Sequence, residues 1–168
     1  MAEAPTKENI LAAMRAYLGD DERRIRHAER VFAYACEIQE NEGGDPDVVI
    51  CSAALHDIGI HEAERKYGSS AGNYQELEGP AVAAEILKNF DLTQDQIDHI
   101  CKIIANHHSA RDIDTVEFRA VWDADWLVNI PDEFDMKDTE KIERLFRKNL
   151  KTKTGSALAE KLVADAKL

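Results

Sequence analysis

The sequence predicts an all-α protein, a single helical bundle of about seven or eight helices over residues 1–168. Apolar residues recur at intervals of three and four along most of the chain, which is the period of an amphipathic helix. Valine, isoleucine and threonine occur mostly singly, and no Asn-Gly or Asp-Gly pair marks a β-hairpin. With 168 residues, 44% of them apolar, the chain is long enough to bury one sizeable core.

Capping residues and glycines set the predicted helix boundaries. The helices are expected to begin at or near the following residues: Pro5, Asp20 or Asp21, Asp45, Pro80, Thr93, Thr115, Thr139 and Ser156. The third ends with His56 and Asp57, and the last two lie within residues 137–168. The stretch from residue 58 to about 77 is rich in glycine and serine and is predicted as an irregular surface loop, with a short helix near residues 61–66. A loop of that length in a compact domain is usually functional.

Composition limits the function classes. The net charge of −12 argues against a nucleic-acid-binding surface, and the basic stretch 137–153 is interpreted as a solvated helix face. No apolar run approaches the roughly 20 residues of a membrane span, and the N-terminal residues lack a signal-peptide pattern. The scattered Cys36, Cys51 and Cys101 are expected to be free thiols in a reducing compartment. We therefore expect a cytoplasmic protein without nucleic-acid or membrane partners, and the sequence leaves open whether it forms a homodimer.

A His-Asp pair at the end of an apolar helix is the most informative motif, in the stretch Leu55–Gly59. His56 follows Val49 and Ala53 on one helical stripe, and Asp57 lies on the adjacent stripe. Both side chains are therefore predicted to point inward. A buried carboxylate needs a partner, and a metal ion suits both an imidazole and a carboxylate.

Two further ligand-type residues lie on predicted inward faces. His27 shares a stripe with Val31 on the second helix, and Asp125 shares a face with Val121 on the sixth. Asp123 lies about 200° round the helix from Asp125 and is interpreted as a supporting, surface or capping carboxylate. An unpaired carboxylate on an apolar face is costly, so Asp125 is the stronger ligand candidate.

This ordered set resembles the HD-domain (HDIG-type) superfamily of metal-dependent phosphohydrolases. The resemblance lies in Arg26–Glu29, Leu55–Gly59 and Asp123–Leu127, and it covers about residues 23–129. It implies an all-helical domain in which four residues hold one divalent metal ion: His27, His56, Asp57 and Asp125. Imidazole plus carboxylate accepts Mn, Fe, Co, Ni, Zn or Mg, so the identity of the metal stays open. One departure from the family pattern is Trp126, which stands where a Lys or Arg usually follows the late aspartate.

The resemblance also raises the question of a second metal. Dinuclear members of the superfamily draw one ligand from a stretch that Ile104–Ser109 resembles, and another from a histidine in the region where this chain has Glu78. A second ion is then implied with Asp57 as a bridge, Glu78 and His107 as ligands, and His108 as a further candidate. The alternatives are a helix N-terminal carboxylate for Glu78 and helix-end capping for the two histidines.

The implied activity is hydrolysis of a small phosphomonoester or phosphodiester, such as a nucleotide, by an activated water. Asp57 or Glu29 is the candidate proton acceptor, and His61 is a candidate for phosphate contact or proton transfer unless it is an exposed surface histidine. The nearest cations in sequence are the candidates for phosphate contacts: Arg65, Lys66, Lys102 and Arg111. Two other functions stay open. One is a diiron oxygenase, which Glu78 in place of a histidine disfavours; the other is a non-catalytic sensing or interaction module that keeps the metal for its structure.

Overall fold

Nine α-helices make up the computed structural model, which describes residues 2–168. They are α1 (Lys7–Leu18), α2 (Glu22–Glu42), α3 (Pro46–Leu55), α4 (Ile60–Tyr67), α5 (Gly72–Leu87), α6 (Gln94–Asn106), α7 (Val116–Glu133), α8 (Thr139–Asn149) and α9 (Lys153–Ala166). Within the described residues, the only strand-type contact is an isolated bridge between Glu3 and Phe90. The predicted all-α fold is confirmed, and α4 corresponds to the short helix predicted near residues 61–66. None of these helices has both the length and the apolar character needed to cross a bilayer.

The predicted capping residues begin their helices as expected. The side chains of Thr6, Thr93 and Thr115 each accept a hydrogen bond from the backbone N–H three residues further on. Asp21 and Asp45 cap α2 and α3 in the same way. Each such cap stabilises its helix by about 1 kcal/mol, because it satisfies an N–H group that has no partner within the helix.

Four helices form the centre of the molecule and carry the ligand-type residues. The helix α3 packs against α2, α6 and α7, and α2 also packs along α7. Their shared core is apolar and fully buried, as at Val31, Leu55, Ile104 and Val121. Because α3 contacts the other three helices, side chains at its C-terminal end can meet side chains from all of them.

The prediction of an irregular loop over residues 58–77 is wrong for most of its length. The helix α4 begins at Ile60, and α5 begins at Gly72 rather than after Gly79-Pro80, so only residues 68–71 separate the two helices. Pro80 lies inside α5. The Gly-Pro pair therefore does not start a helix, and its glycine has a packing role instead.

Gly59 and Gly79 allow α4 and α5 to approach closely. A Cβ atom added to Gly59 would lie 2.5 Å from the backbone nitrogen of Gly79 and 2.9 Å from the carbonyl oxygen of Gln75. A Cβ atom added to Gly79 would lie 2.7 Å from Cγ2 of Ile104 on α6. The absence of side chains at both positions therefore lets the backbone that follows Asp57 pass directly against α5.

A buried carboxylate joins α7 to the start of α9. Asp123 is fully buried, and its Oδ1 accepts a hydrogen bond of 2.8 Å from the Lys151 N–H. Its Oδ2 accepts hydrogen bonds from the N–H and the hydroxyl of Thr152, at 2.8 and 2.7 Å. Thr152 caps α9, which begins at Lys153 rather than at the predicted Ser156. Asp123 is therefore neither at the surface nor itself the cap of α9; it is a buried carboxylate that holds the capping residue Thr152.

The substitution Gly59→Ala is expected to lower the free energy of unfolding by about 3 kcal/mol, because the new methyl group must displace the backbone of α5. The control is Gly68→Ala, where an added Cβ atom meets nothing within 4 Å and only the left-handed φ of +64° is strained. That control is expected to cost about 1 kcal/mol. Urea unfolding followed by circular dichroism measures both variants, and equal losses would contradict the close approach.

Candidate metal centre

Three helices bring four donor atoms together at the C-terminal end of α3. His27 Nε2, from α2, lies 3.3 Å from His56 Nε2 and 3.3 Å from Asp57 Oδ2. The same atom lies 3.2 Å from Asp125 Oδ1, from α7. His56 Nε2 lies 3.2 Å from Asp57 Oδ2 and 3.5 Å from Asp125 Oδ1. We refer to these four residues as the primary cluster.

The spacing of these donor atoms fits a divalent metal ion. Nitrogen and oxygen ligands about 2.0–2.1 Å from one ion, at near-tetrahedral angles, lie about 3.3–3.4 Å from one another. The five distances in the primary cluster are between 3.2 and 3.5 Å. Two imidazole nitrogens and two carboxylate oxygens also match the donor chemistry of first-row divalent ions.

The backbone fixes which nitrogen of each buried imidazole faces the carboxylates. The Nδ1–H of His56 donates to the Ala53 carbonyl at 2.8 Å, and the Nδ1–H of His107 donates to the Ile104 carbonyl at 2.7 Å. In the neutral ring, each Nε2 therefore carries a lone pair, and that lone pair points at a carboxylate oxygen. Two acceptors in contact repel each other unless a proton or a metal ion lies between them. The arrangement is thus built to hold a cation.

Asp57 connects the primary cluster to a second group of donors. Its Oδ2 faces the primary histidines, whereas its Oδ1 lies 3.1 Å from His107 Nε2 and 3.9 Å from His108 Nε2. We refer to Asp57, His107 and His108 as the secondary cluster. Asp57 therefore lies between two groups of ligand-type residues, with His107 and His108 both close to its second oxygen, and its role as a bridge between two ions stays a prediction.

The N-terminal part of α5 holds the secondary cluster in place. The buried Glu76 accepts hydrogen bonds at its Oε2 from the His108 N–H, the Ser109 N–H and the Ser109 hydroxyl, at 3.2, 3.1 and 2.8 Å. The Gln75 Oε1 lies 3.2 Å from His108 Nε2. A Cβ atom on Gly72 would lie 2.9 Å from the His108 ring, so this ring packs directly on the start of α5. These contacts fix the turn that follows α6.

Hydrogen bonding within the clusters shifts the pKa values of their members. Burial lowers the pKa of His27, but hydrogen bonds to Asp125 and Asp57 outweigh burial and raise that pKa to about 9. Burial also lowers the pKa of His56, yet the two carboxylates hold it well above its usual range. Burial raises the pKa of Asp57, but the charge of His56 and hydrogen bonds from His107 and His27 hold it well below its usual range. When no metal ion is bound, the imidazoles of the primary cluster therefore hold protons.

The clusters open onto a cavity of about 640 Å³. The cluster residues that line it are His27, Asp57, His108 and Asp125. Partial burial and the neighbouring His107 lower the pKa of His108 to about 4, so this imidazole is neutral at pH 7. A small organic ligand fits a cavity of this size. The centre is therefore accessible from one side and closed by helices on the others.

The structure places several predicted site residues elsewhere. Glu78, predicted as a ligand to a second metal, pairs with Lys66, which was itself predicted to contact phosphate. Neither residue lines the cavity. Glu29, a predicted proton acceptor, lies about 200° round α2 from His27, and it accepts a hydrogen bond of 3.2 Å from Arg15 instead.

The remaining candidates for phosphate contact also lie outside the cavity. His61 Nε2 lies 2.8 Å from Oδ2 of Asp21, which is the residue that caps α2. Arg65 forms an ion pair with an acidic neighbour on α4. Lys102 and Arg111 are exposed and lie away from the lining. The cations closest in sequence to His56-Asp57 and to His107-His108 are therefore not the ones near the centre.

The cations that line the cavity were not predicted; they are Arg23, Arg24, Arg26 and Arg30 on α2. A usable signal was present for Arg23, Arg24 and Arg30, because positions three and four residues from His27 share its helical face. The half-buried Trp126, next to the late aspartate, supplies no charge. Positive charge reaches this centre from α2 instead.

The fold and the centre together define the class of this protein. It is an all-α bundle in which histidine and aspartate side chains meet where helices converge, in an arrangement suited to a divalent metal ion. The HD domain family model matches residues 24–153, and the chain belongs to the HD domain family.

Two solved structures share the fold. A predicted HD superfamily hydrolase from an uncultured Thermotogales bacterium is 25% identical, with a TM-score of 0.69, and the match covers 94% of this chain and 85% of that protein. An HD-superfamily hydrolase from Bacillus thuringiensis is 20% identical, with a TM-score of 0.67, and the match covers 96% of this chain and 90% of that protein. The second likeness concerns the fold alone. The comparison with curated proteins finds no match.

Metal affinity is expected to rise with pH, because the ion and the protons compete for the same nitrogens. His27 must lose its proton to bind, and its pKa of about 9 in the metal-free cluster keeps it protonated at neutral pH. The apparent dissociation constant should therefore fall at least about tenfold per pH unit between roughly pH 6.5 and 8.5.

Calorimetric titration with Mn²⁺ or Zn²⁺ in two buffers of different ionisation enthalpy measures the affinity and the released protons. His99→Ala, on the surface of α6, should leave the slope unchanged. A pH-independent affinity without proton release would contradict the assignment.

Proposed function

We propose that the protein is a metal-dependent phosphohydrolase that cleaves a small phosphomonoester or phosphodiester, such as a nucleotide. The observation that carries the proposal is the primary cluster, whose nitrogen and oxygen donors lie 3.2–3.5 Å apart beside an accessible cavity. Membership of the HD domain family supports a hydrolase, as does the likeness to a structure described as a predicted hydrolase.

His27, His56, Asp57 and Asp125 are the residues proposed to hold the ion. A divalent ion bound there lowers the pKa of a water molecule and offsets the negative charge that develops on a phosphoryl oxygen. The two carboxylates stay ionised at neutral pH, because the surrounding imidazoles hold their pKa values below the usual range. They are therefore available as ligands at neutral pH.

The chain itself supplies the groups that handle the proton. Of the two predicted acceptors, Asp57 lies at the centre and Glu29 does not, so Asp57 is the proposed acceptor or orienting group for the attacking water. The neutral imidazole of His108 faces the same cavity and offers a further hydrogen-bonding position. The helices α3, α6 and α7 close the far side of the centre, which limits the access of other water.

A second ion at the secondary cluster is part of this proposal. Asp57 Oδ1, His107 and His108 offer three donors, two of them from residues that line the cavity, and His108 takes the role expected of Glu78, which pairs with Lys66. Asp57, His107 and His108 would hold this second ion, which would supply further stabilisation of negative charge on a phosphoryl group. The same geometry also suits a diiron oxygenase, so the number and identity of the ions discriminate the two reactions.

Elemental analysis of the protein, purified without added metal or chelator, tests the ligand assignment first. We expect between one and two atoms of Mn, Fe, Co, Ni, Zn or Mg per chain. Two irons per chain with O₂-dependent turnover would replace the hydrolase with the oxygenase. Protein that stays metal-free after incubation with each of these ions would overturn the metal centre altogether.

Substitution at the shared carboxylate is expected to abolish hydrolysis. Asp57→Asn keeps the side-chain shape but removes the charge that both clusters share, so metal content should fall below about a tenth and the rate on a phosphate-ester panel by about 10³-fold or more. Released inorganic phosphate and elemental analysis provide the two readouts. His99→Ala serves as the control, since His99 bonds only Thr115 at the surface, and should retain both properties. Full metal content in the Asp57 variant would contradict the proposed site.

A further inference from the structure

The α2 wall of the cavity carries a concentration of positive charge in a chain of net charge −12. Four arginines lie within residues 23–30, and all of them line the cavity together with His27. Arg23 precedes His27 by four residues and Arg30 follows it by three, so their side chains share the helical face of the metal ligand. A concave wall with charge of one sign concentrates ligands of the opposite sign.

Two of the four arginines are already neutralised by ion pairs. The Nη1 atom of Arg24 lies 3.1 Å from Asp21 Oδ2, and it also contacts Glu64 of α4. The Nη1 atom of Arg30 lies 2.9 Å from Asp132 Oδ2, near the end of α7. Both arginines are therefore paired with carboxylates of the protein itself when no ligand is bound.

Arg23 and Arg26 are the other two, and they are free. In the part of the chain that the structure describes, neither guanidinium has a carboxylate oxygen within 4.0 Å. Both side chains are exposed on the cavity wall, three residues apart. A guanidinium presents its N–H groups in a fork that matches two phosphate oxygens at once. The partial positive charge at the first turn of α2 adds to this preference for an anion.

We propose that Arg23 and Arg26 bind a second phosphate group of the substrate, so that the enzyme prefers esters carrying another phosphate beside the one that reacts. This inference rests on the proposed function. Arg26 is adjacent to His27, and Arg23 lies about 6 Å earlier along the α2 axis, so the two phosphates lie within about one helical turn of each other. Nucleoside diphosphates and triphosphates and sugar bisphosphates have this chemistry.

The part of the lining that comes from α7 defines the direction in which such a substrate lies. Asp132 and Glu133, at the end of α7, line the cavity and carry negative charge. Asp132 is paired with Arg30, and Glu133 repels a second anion from this side. The additional phosphate is therefore directed to α2, and the uncharged part of the substrate lies toward α7 beside Asn129.

A binding experiment tests the anion position without any turnover. Inorganic tripolyphosphate is titrated by calorimetry into metal-free protein at low ionic strength, so that chelation of a metal by the probe plays no part. The double variant Arg23→Gln/Arg26→Gln is expected to bind at least about tenfold more weakly than the unmodified protein. The matched control is Arg144→Gln/Arg147→Gln on α8, with the same charge change, the same three-residue spacing and two exposed side chains. Equal weakening in the control would overturn the position, because net charge alone would then explain the effect.

A kinetic experiment tests the substrate class. For the metal-loaded protein, Arg23→Gln/Arg26→Gln is expected to raise KM for a nucleoside diphosphate at least about tenfold, while KM for the matching monophosphate changes less than about threefold. Equal effects on the two esters would overturn the inference and leave the phosphohydrolase intact. If no ester is cleaved but tripolyphosphate binding still depends on Arg23 and Arg26, the reaction is wrong and the anion position stands. If tripolyphosphate does not bind at all, the anion position is wrong.

Discussion

The carboxylate of Asp57 is the contact on which the centre depends. One of its oxygens faces His27 and His56, and the other faces His107 and His108. His56 and His107 commit their Nδ1–H groups to backbone carbonyls, so each needs a proton or a metal ion at Nε2 to keep its lone pair from facing a carboxylate oxygen. The protonation of the histidines, the binding of metal and the charge of the substrate are therefore linked through one side chain.

The backbone around His56 and His107 also favours a cation at the centre, in the same way at both histidines. His56 and His107 each occupy the C-terminal cap position of a helix, and each donates its Nδ1–H to the carbonyl three residues earlier. The C-terminal end of a helix carries partial negative charge, so α3 and α6 both direct a favourable potential toward the centre. The hydrogen bonds also lock the rings, so little side-chain entropy remains to be lost when an ion binds. The selective binding of an ion to the folded chain would in turn stabilise that fold.

The parts of this picture that were predictable from the sequence are those that depend on local periodicity. Helical stripes predicted that His56 and Asp125 point inward, and caps such as Thr93 predicted the start of a helix. The failures come from contacts between helices. Gly79 looks like a helix-start signal, but its role is to let α5 approach Gly59, which no local pattern reveals.

The same limit explains the misassigned ligands. Glu78 lies in the sequence region where the resemblance placed a ligand to a second metal, yet its side chain on α5 faces Lys66. The acidic residue that supports the histidines is Glu76, which accepts hydrogen bonds from the turn that carries them. A shift of two residues turns a helical side chain by about 200°, and the phase of α5 could not be fixed while its start was placed eight residues too late. The cavity arginines flank His27 in the sequence, and they were missed because the candidate cations were taken from the neighbourhood of His56-Asp57 and of His107-His108 instead.

The hydrogen bonds of Asp123 set a minimum size for an autonomous folding unit. The last ligand of the primary cluster is Asp125, so a fragment ending after α7 would retain every residue of both clusters. Such a fragment would nevertheless lack Lys151 and Thr152, and Asp123 would be left as an unsatisfied carboxylate two residues from a ligand. The segment that carries the candidate ligands is thus shorter than the segment that keeps them in place, because Lys151 and Thr152 support the centre without reaching it.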